Sequence, residues 1–189
     1  MLARLVRSMR SSAVRTRVVS LTGEGELGRG LREAGLELHT LDMTRGQLAL
    51  RPVLTLRKWL ADWRPDVLST WMYHADLLGA VATMGLAGPP LVWNLRAADI
   101  DMRQYRWLSW ATRRACATLS RRPAMVIANS QAGRTAHEAM GYRPRAWRVI
   151  ANGIDAGRFR PRPEVLPFSS IPAWLPAFWL TPGSAMALR

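Results

Sequence analysis

The chain has 189 residues, enough for one domain with its own core and too few for two complete ones. Hydrophobic residues make up 49% and charged residues 21%, which is globular composition and excludes a disordered chain. The 27 basic residues outnumber the 13 acidic ones, giving a formal net charge of +14; such a surface attracts polyanions, although a bias toward arginine produces the same count with no partner at all.

Lys58 is the only lysine; every other basic residue is an arginine. Cys116 is alone, so the sequence offers no intrachain disulfide and no cysteine-based metal site, as expected in a reducing compartment. The opening MLARLVRSMR is too charged for the apolar core of a signal peptide. The uncharged run at 165–188 is long enough to span a bilayer, but its prolines argue against a clean helix. These features predict a cytoplasmic protein.

Strand-like and helix-like segments alternate along the chain. Arg17 to Leu21 reads as a short buried strand, Gly23 to Gly25 as a turn, and Leu27 to Ala34 as a helix closed by Gly35. Leu36 to Leu41 alternates like a strand. Val53, Leu56, Leu60 and Trp63 mark one face of a helix, which Arg64-Pro65 stops. Asp66 to Thr70 is the next strand, and Ala75 to Leu86 a helix rich in small residues. Leu91 to Asn94 is a strand, Arg103 to Leu119 a long helix, and Met125 to Ala128 a strand. Arg134 to Met140 is a helix closed by Gly141, and Trp147 to Ile150 a final strand.

This alternation predicts an α/β fold with a Rossmann-like, doubly wound parallel sheet. Ligands of such sheets sit at the carboxyl ends of the strands. That rule selects Thr70 to His74, Asn94 to Asp99, Asn129-Ser130 and Asn152 to Asp155. After Pro161 the character changes: prolines crowd in and periodicity ends. The expected division is therefore 1–161 and a Pro/Trp-rich tail at 162–189.

Several stretches, in order, resemble the amino-terminal domain of glycosyltransferase family four. Val18 to Leu21 followed by Gly25-Glu26-Leu27-Gly28 is similar to the family's second strand and the helix after it. Arg64-Pro65-Asp66-Val67 resembles its "rPDvv" lead into a strand, followed by Thr70 to Gly79 and Val92 to Arg96. Ala128 to Arg134 with His137 and Gly141-Tyr142 resembles "aNSeagr..h...Gy". Val149 to Asp155 with Phe159 and Pro161 resembles "vIpNGiD...F.P". The resemblance implies one half of a GT-B fold, the acceptor-side half of a retaining sugar transferase. It implies a nucleotide-sugar donor, whose site is not in this sequence, and a glycan or lipid-linked acceptor of the kind used in polysaccharide assembly. The family's opening strand with its glycine-rich loop, and its second domain with an E-x7-E glutamate pair, have no counterpart in these residues. The sequence therefore reads as an incomplete fragment, inactive by itself, with no assignable catalytic residue.

The acceptor-side candidates are His74, Asn94, Arg96, Asp99, Asn129 and Asn152. His74 is either a proton-handling group or a helix-start histidine with structural bonds. Arg96 either pairs with a phosphate or carboxylate of a substrate, or is held internally by Asp99 or Asp101. Asn129 precedes Ser130, a natural N-cap, and Asn152-Gly153 forms a turn. His39 and His137 suggest no metal site, and no cofactor is expected. Nor is there a P-loop, a GxGxxG after a strand, or a nucleophile elbow. No nucleic-acid-binding spacing occurs either.

On the helix at 103–119, the residues Arg103, Arg106, Trp107, Trp110, Arg113 and Arg114 fall on one stripe. Tyr105, Leu108, Ala111, Thr112, Ala115 and Leu119 fall opposite, toward the core. Arginines interleaved with tryptophans suit an anionic membrane surface, which would make the protein peripheral at the inner face of a membrane. The competing reading is a set of structural cation–π pairs. If no chemistry survives, what remains is a basic, non-catalytic module that binds membrane or polyanions.

Overall fold

The computed structural model describes residues 2–9, 13–44, 50–97 and 107–153; of Trp107 only the backbone is described. Helices and strands alternate in the expected order. They are α1 (Leu2–Ser8), β1 (Arg17–Ser20), α2 (Gly25–Glu33), β2 (Glu37–Thr40), α3 (Leu50–Trp63), β3 (Leu68–Trp71), α4 (Tyr73–Ala82), β4 (Leu91–Leu95), α5 (Trp107–Leu119), β5 (Met125–Ala128), α6 (Gln131–Ala139) and β6 (Trp147–Val149). Residues 103–106, expected to open the long helix, and the boundary expected at Pro161 lie outside the described residues.

Every pairing is parallel. β1 pairs with β2, and β3, β4, β5 and β6 follow one another in a four-stranded sheet. This is the α/β, Rossmann-like arrangement expected from the sequence. The glycines expected to close two helices do so. Gly35 and Gly141 take φ of 73° and 94°, a left-handed conformation that costs glycine nothing. Beyond each, the next amide reaches back into the helix: Leu36 N donates to Leu31 O at 3.0 Å, and Tyr142 N to His137 O at 3.0 Å.

Among the described residues, no strand-to-strand hydrogen bonds join the two sheets. An apolar seam joins them instead. Leu56 and Leu60 of α3 pack with Leu78 and Ala82 of α4, and this cluster takes Leu21 and Leu41 from the first sheet and Leu68 from the second. Across the larger sheet, Trp93, Leu95, Val126, Tyr142, Cys116 and Tyr73 form the main core. The helix rich in small residues is small for a reason. At Gly79 an added Cβ would stand 2.7 Å from Thr70 Cγ2 and 3.3 Å from Leu91 Cδ1, so α4 lies directly on β3 and β4.

That close packing buries Asp76 completely. Its Oδ1 accepts a hydrogen bond from the Thr70 hydroxyl, and its Oδ2 has no partner. Burial pushes the carboxyl pKa well above the ordinary range, only partly opposed by the Thr70 bond. Below pH about 4 both folded and unfolded chains hold this proton. As pH rises, the unfolded chain releases it first, so stability falls by about 1.4 kcal/mol per pH unit until the folded carboxyl also ionises. Asp76→Asn removes this dependence. Melting temperatures of the two proteins, followed from pH 4 to pH 8, should diverge steadily in favour of the variant. Parallel curves would show that Asp76 is ionised in the fold.

Candidate functional site

Parallel pairing places every carboxyl strand end of the larger sheet on one edge. In register, Trp71 stands opposite Asn94, Leu95 opposite Ala128, and Ala128 opposite Val149. The residues that follow, among them Arg96, Asn129 and Ile150, form a row along that edge.

Arg96 gathers this row. Its guanidinium lies over the Trp71 ring, 4.6 Å from the centroid. Nη1 donates to Asn152 Oδ1 at 3.1 Å and to the Ile150 carbonyl at 3.4 Å, and Nη2 approaches Asn94 Oδ1 at 3.5 Å. The buried Nε has no partner. Among the described residues, no carboxylate lies within ion-pair reach of Arg96. Burial without a countercharge pulls its pKa below the usual value. Asp99 and Asp101, the internal partners considered for it, lie outside the described residues.

The other candidates divide by what they touch. Asn94 is buried, and its amide donates to Ser69 Oγ and to the Thr70 carbonyl, both at 2.9 Å. Its amide therefore ties the ends of β3 and β4, while its oxygen faces Arg96. Asn129 Oδ1 is buried without a partner, and an added Cβ at Gly133 would meet it at 3.4 Å and the Ala97 carbonyl at 3.2 Å. Ser130 is the expected N-cap: its Oγ accepts from Gly133 N at 3.0 Å. His74 lies exposed in the first turn of α4, and Asn152 is exposed.

His137 is structural. Its Nδ1 stands 2.6 Å from the Gly133 carbonyl and must donate to it, so Nε2 accepts from the Tyr73 hydroxyl at 2.9 Å. Burial lowers its pKa and keeps it neutral. Cys116 donates to the Tyr73 carbonyl, and burial beside Asp76 pushes its thiol up to about 12, which leaves it unreactive. His39 packs against both Trp59 and Trp63, at 5.3 and 4.7 Å between ring centroids, and the two indoles stack on each other at 5.2 Å. Among the described residues, no group of His, Cys, Asp or Glu is placed to hold a metal ion.

The stripe expected on α5 needs correction at Arg113, which is 5% exposed and lies over the Tyr73 ring at 4.7 Å. The buried face runs through Thr112, Arg113, Cys116 and Ala117 and continues to Ser120. It is turned by about one residue, about 100°, from the face that residue size suggests. Thr112, Cys116 and Ala117 are small enough to let α5 lie against α4, and Arg113 follows them inward with Tyr73 as its shelf. The outward face carries Trp110, 52% exposed, and Arg114, 5.9 Å from that ring. Arg103, Arg106 and the Trp107 side chain lie outside the described residues.

Sequence reasoning placed Trp71 and Met72 in a strand-end window but gave neither a role. Met72 is the turn from β3 into α4, with φ 72° and ψ 161°. That region is reserved almost entirely for glycine, and a side chain there costs about 1–3 kcal/mol. Met72 is partly exposed, so little packing offsets the strain. Met72→Gly should therefore stabilise the protein by about 1 kcal/mol in denaturant titration, after glycine's entropy cost. A lowered midpoint would mean that the methionine side chain supports the turn.

A family model described as Glycosyltransferase Family 4 matches residues 1–158. No curated protein and no solved structure gives a significant match.

Proposed function

The chain belongs to glycosyltransferase family 4, and on that premise we propose that its carboxyl strand edge is the acceptor wall of a retaining, GT-B-type transferase. The observation that supports this reading is the convergence of Trp71, Asn94 and Asn152 on Arg96 at one edge of a parallel sheet, with Asn129 following the neighbouring strand, inside the matched residues. In the proposed reaction, a nucleotide-sugar is held across a cleft between two domains. A hydroxyl of a glycan or lipid-linked acceptor is positioned from this wall, and the sugar passes to it as the nucleoside diphosphate leaves. The protein's contribution is placement of the hydroxyl and positive charge near the developing diphosphate.

Catalysis requires tighter binding of the transition state than of the substrates. The described residues offer one wall, so we propose that these 189 residues alone do not transfer sugar. The check is purified chain incubated with common nucleotide-sugars and saccharide or lipid-linked acceptors. No product above background is expected; robust turnover abolished by Arg96→Ala would refute the proposal.

A second contact is supported by the outward face of α5. No helix among the described residues is long and apolar enough to cross a membrane. Trp110 and Arg114 instead pair an exposed indole with a guanidinium. Beyond the helix, Arg121, Arg143 and Arg145 line an open recess with Trp147. We propose that this basic face rests on an anionic membrane surface, at the cytoplasmic side, where lipid-linked acceptors are found. Each arginine near such a surface contributes about 1 kcal/mol. Co-sedimentation with vesicles should show binding to anionic lipid, little to neutral lipid, and loss in high salt. Trp110→Ala with Arg114→Gln should weaken the binding severalfold; unchanged binding would remove α5 from the contact.

A further inference from the structure

The acceptor-wall reading says where a substrate lies, and Arg96 says what the substrate carries. Four features set this arginine apart. It is held rigidly, by the Trp71 ring below it and by the Asn152 and Ile150 oxygens at one end. It is partly withdrawn from water, with Nε buried. Every oxygen the structure shows against it is neutral: two amide side chains and one main-chain carbonyl. And it lies on the edge where ligands of parallel sheets bind. Desolvating a guanidinium costs free energy that neutral oxygens only partly return, and a planar fork is best matched by an anion with two or more oxygens.

We propose that Arg96, shelved on Trp71 between Asn94 and Asn152, is an oxyanion-binding site that takes a phosphate or carboxylate group carried by the acceptor. This rests on the acceptor-wall reading for the identity of the ligand, but not for the existence of the site. Stacking on Trp71 fixes the plane of the guanidinium. Asn152 and Ile150 fix its rotation by occupying Nη1, while Nη2, 3.5 Å from Asn94 Oδ1, keeps donor capacity for a ligand. The side-chain oxygens of Asn94 and Asn152 keep the surroundings of the guanidinium polar without cancelling its charge. An acceptor with a phosphate or an acidic sugar near its reacting hydroxyl would be anchored at one defined point, and a neutral acceptor would not.

The test is anion binding by the full chain, followed by thermal shift and calorimetry at constant ionic strength set with chloride. The probes are inorganic phosphate, glucuronate and, as the neutral control, glucose. Phosphate or glucuronate should bind saturably, glucose should not, and Arg96→Gln should weaken that binding at least tenfold. Arg29→Gln, an exposed arginine on α2 of the other sheet, should leave it unchanged, which separates a site from the general attraction of a +14 chain. Response to phosphate alone identifies a phosphorylated acceptor; response to glucuronate alone identifies an acidic sugar. Equal binding by wild type and Arg96→Gln, or no saturable binding of either anion, overturns the proposal. Should Arg96→Gln fail to fold by circular dichroism, Arg96→Lys keeps the charge and loses the fork. It should then bind at least threefold more weakly than wild type, and undiminished binding would overturn the proposal equally. Because the readout is binding, an absence of sugar transfer leaves the result untouched. Saturable anion binding at Arg96 with which no glycan or lipid-linked acceptor competes would instead count against the acceptor-wall reading.

Discussion

Parallel strand pairing is the constraint from which the rest of this structure follows. A parallel pair cannot be closed by a hairpin, so each strand must be followed by a crossover that returns the chain to the same starting edge. The crossovers among the described residues are helices, and they alternate with strands for that reason. All strand ends of one kind then lie along one edge. Trp71, Asn94 and Ile150 come from segments far apart in sequence, yet they meet at Arg96 because their strands run the same way and in register. No local sequence feature builds the site. It is assembled by topology, and each side chain needs only to stand at or just past the end of its strand.

The same topology forces helices flat against the sheet, and this decides which polar groups are buried. α4 lies on β3 and β4 through Gly79. The residue one turn earlier on that face, Asp76, is fully buried, and burial raises its carboxyl pKa well above the ordinary range. α5 lies on α4 through small side chains and carries Arg113 inward with them. Buried polar groups here are therefore mostly products of packing, and their partners reveal as much. His137 has a partner at each ring nitrogen, Asn94 has two acceptors for its amide, and the Cys116 thiol has a carbonyl. Groups satisfied within the protein have little left to offer a ligand.

The elements were legible in the sequence because short apolar runs, separated by helix-length segments, leave few alternatives for a chain of this size. Two helix ends were legible for an equally local reason, the glycines at 35 and 141 in left-handed conformation. The strand-end windows at 70–74 and 94–99, the second described only to residue 97, follow from the fold rule alone. The geometry inside them was not. That Trp71 becomes the shelf for Arg96, and that Met72 takes a glycine-only conformation, depends on how β3 hands over to α4. The α5 stripe failed at Arg113 because size patterning assumes that large apolar residues face inward. On this helix small residues set the contact, and the buried face moved round by about one position.

The arginine excess reads differently once its partners are known. Arg17, Arg96, Arg113, Arg114 and Arg134 all lie over aromatic rings, at 4.6 to 5.9 Å. A guanidinium is flat and weakly hydrated, so it stacks where an ammonium would stay in water. In a chain with one lysine and nine tryptophans, such pairs form readily and carry no functional signal by themselves. What sorts them is charge balance against burial. Arg17 and Arg134 also reach carboxylates, Glu37 at 2.8 Å and Glu138 at 2.9 Å. Arg114 is exposed, so water supplies what a carboxylate would. Arg113 is buried in the contact between α5 and α4, where no ligand reaches it. Arg96 is partly desolvated, and among the described residues only neutral oxygens lie against it. A stacked arginine with a countercharge, or with water, completes itself. One with neither leaves an interaction for a ligand to complete, and here that interaction lies on the edge of the sheet where the fold binds its ligands.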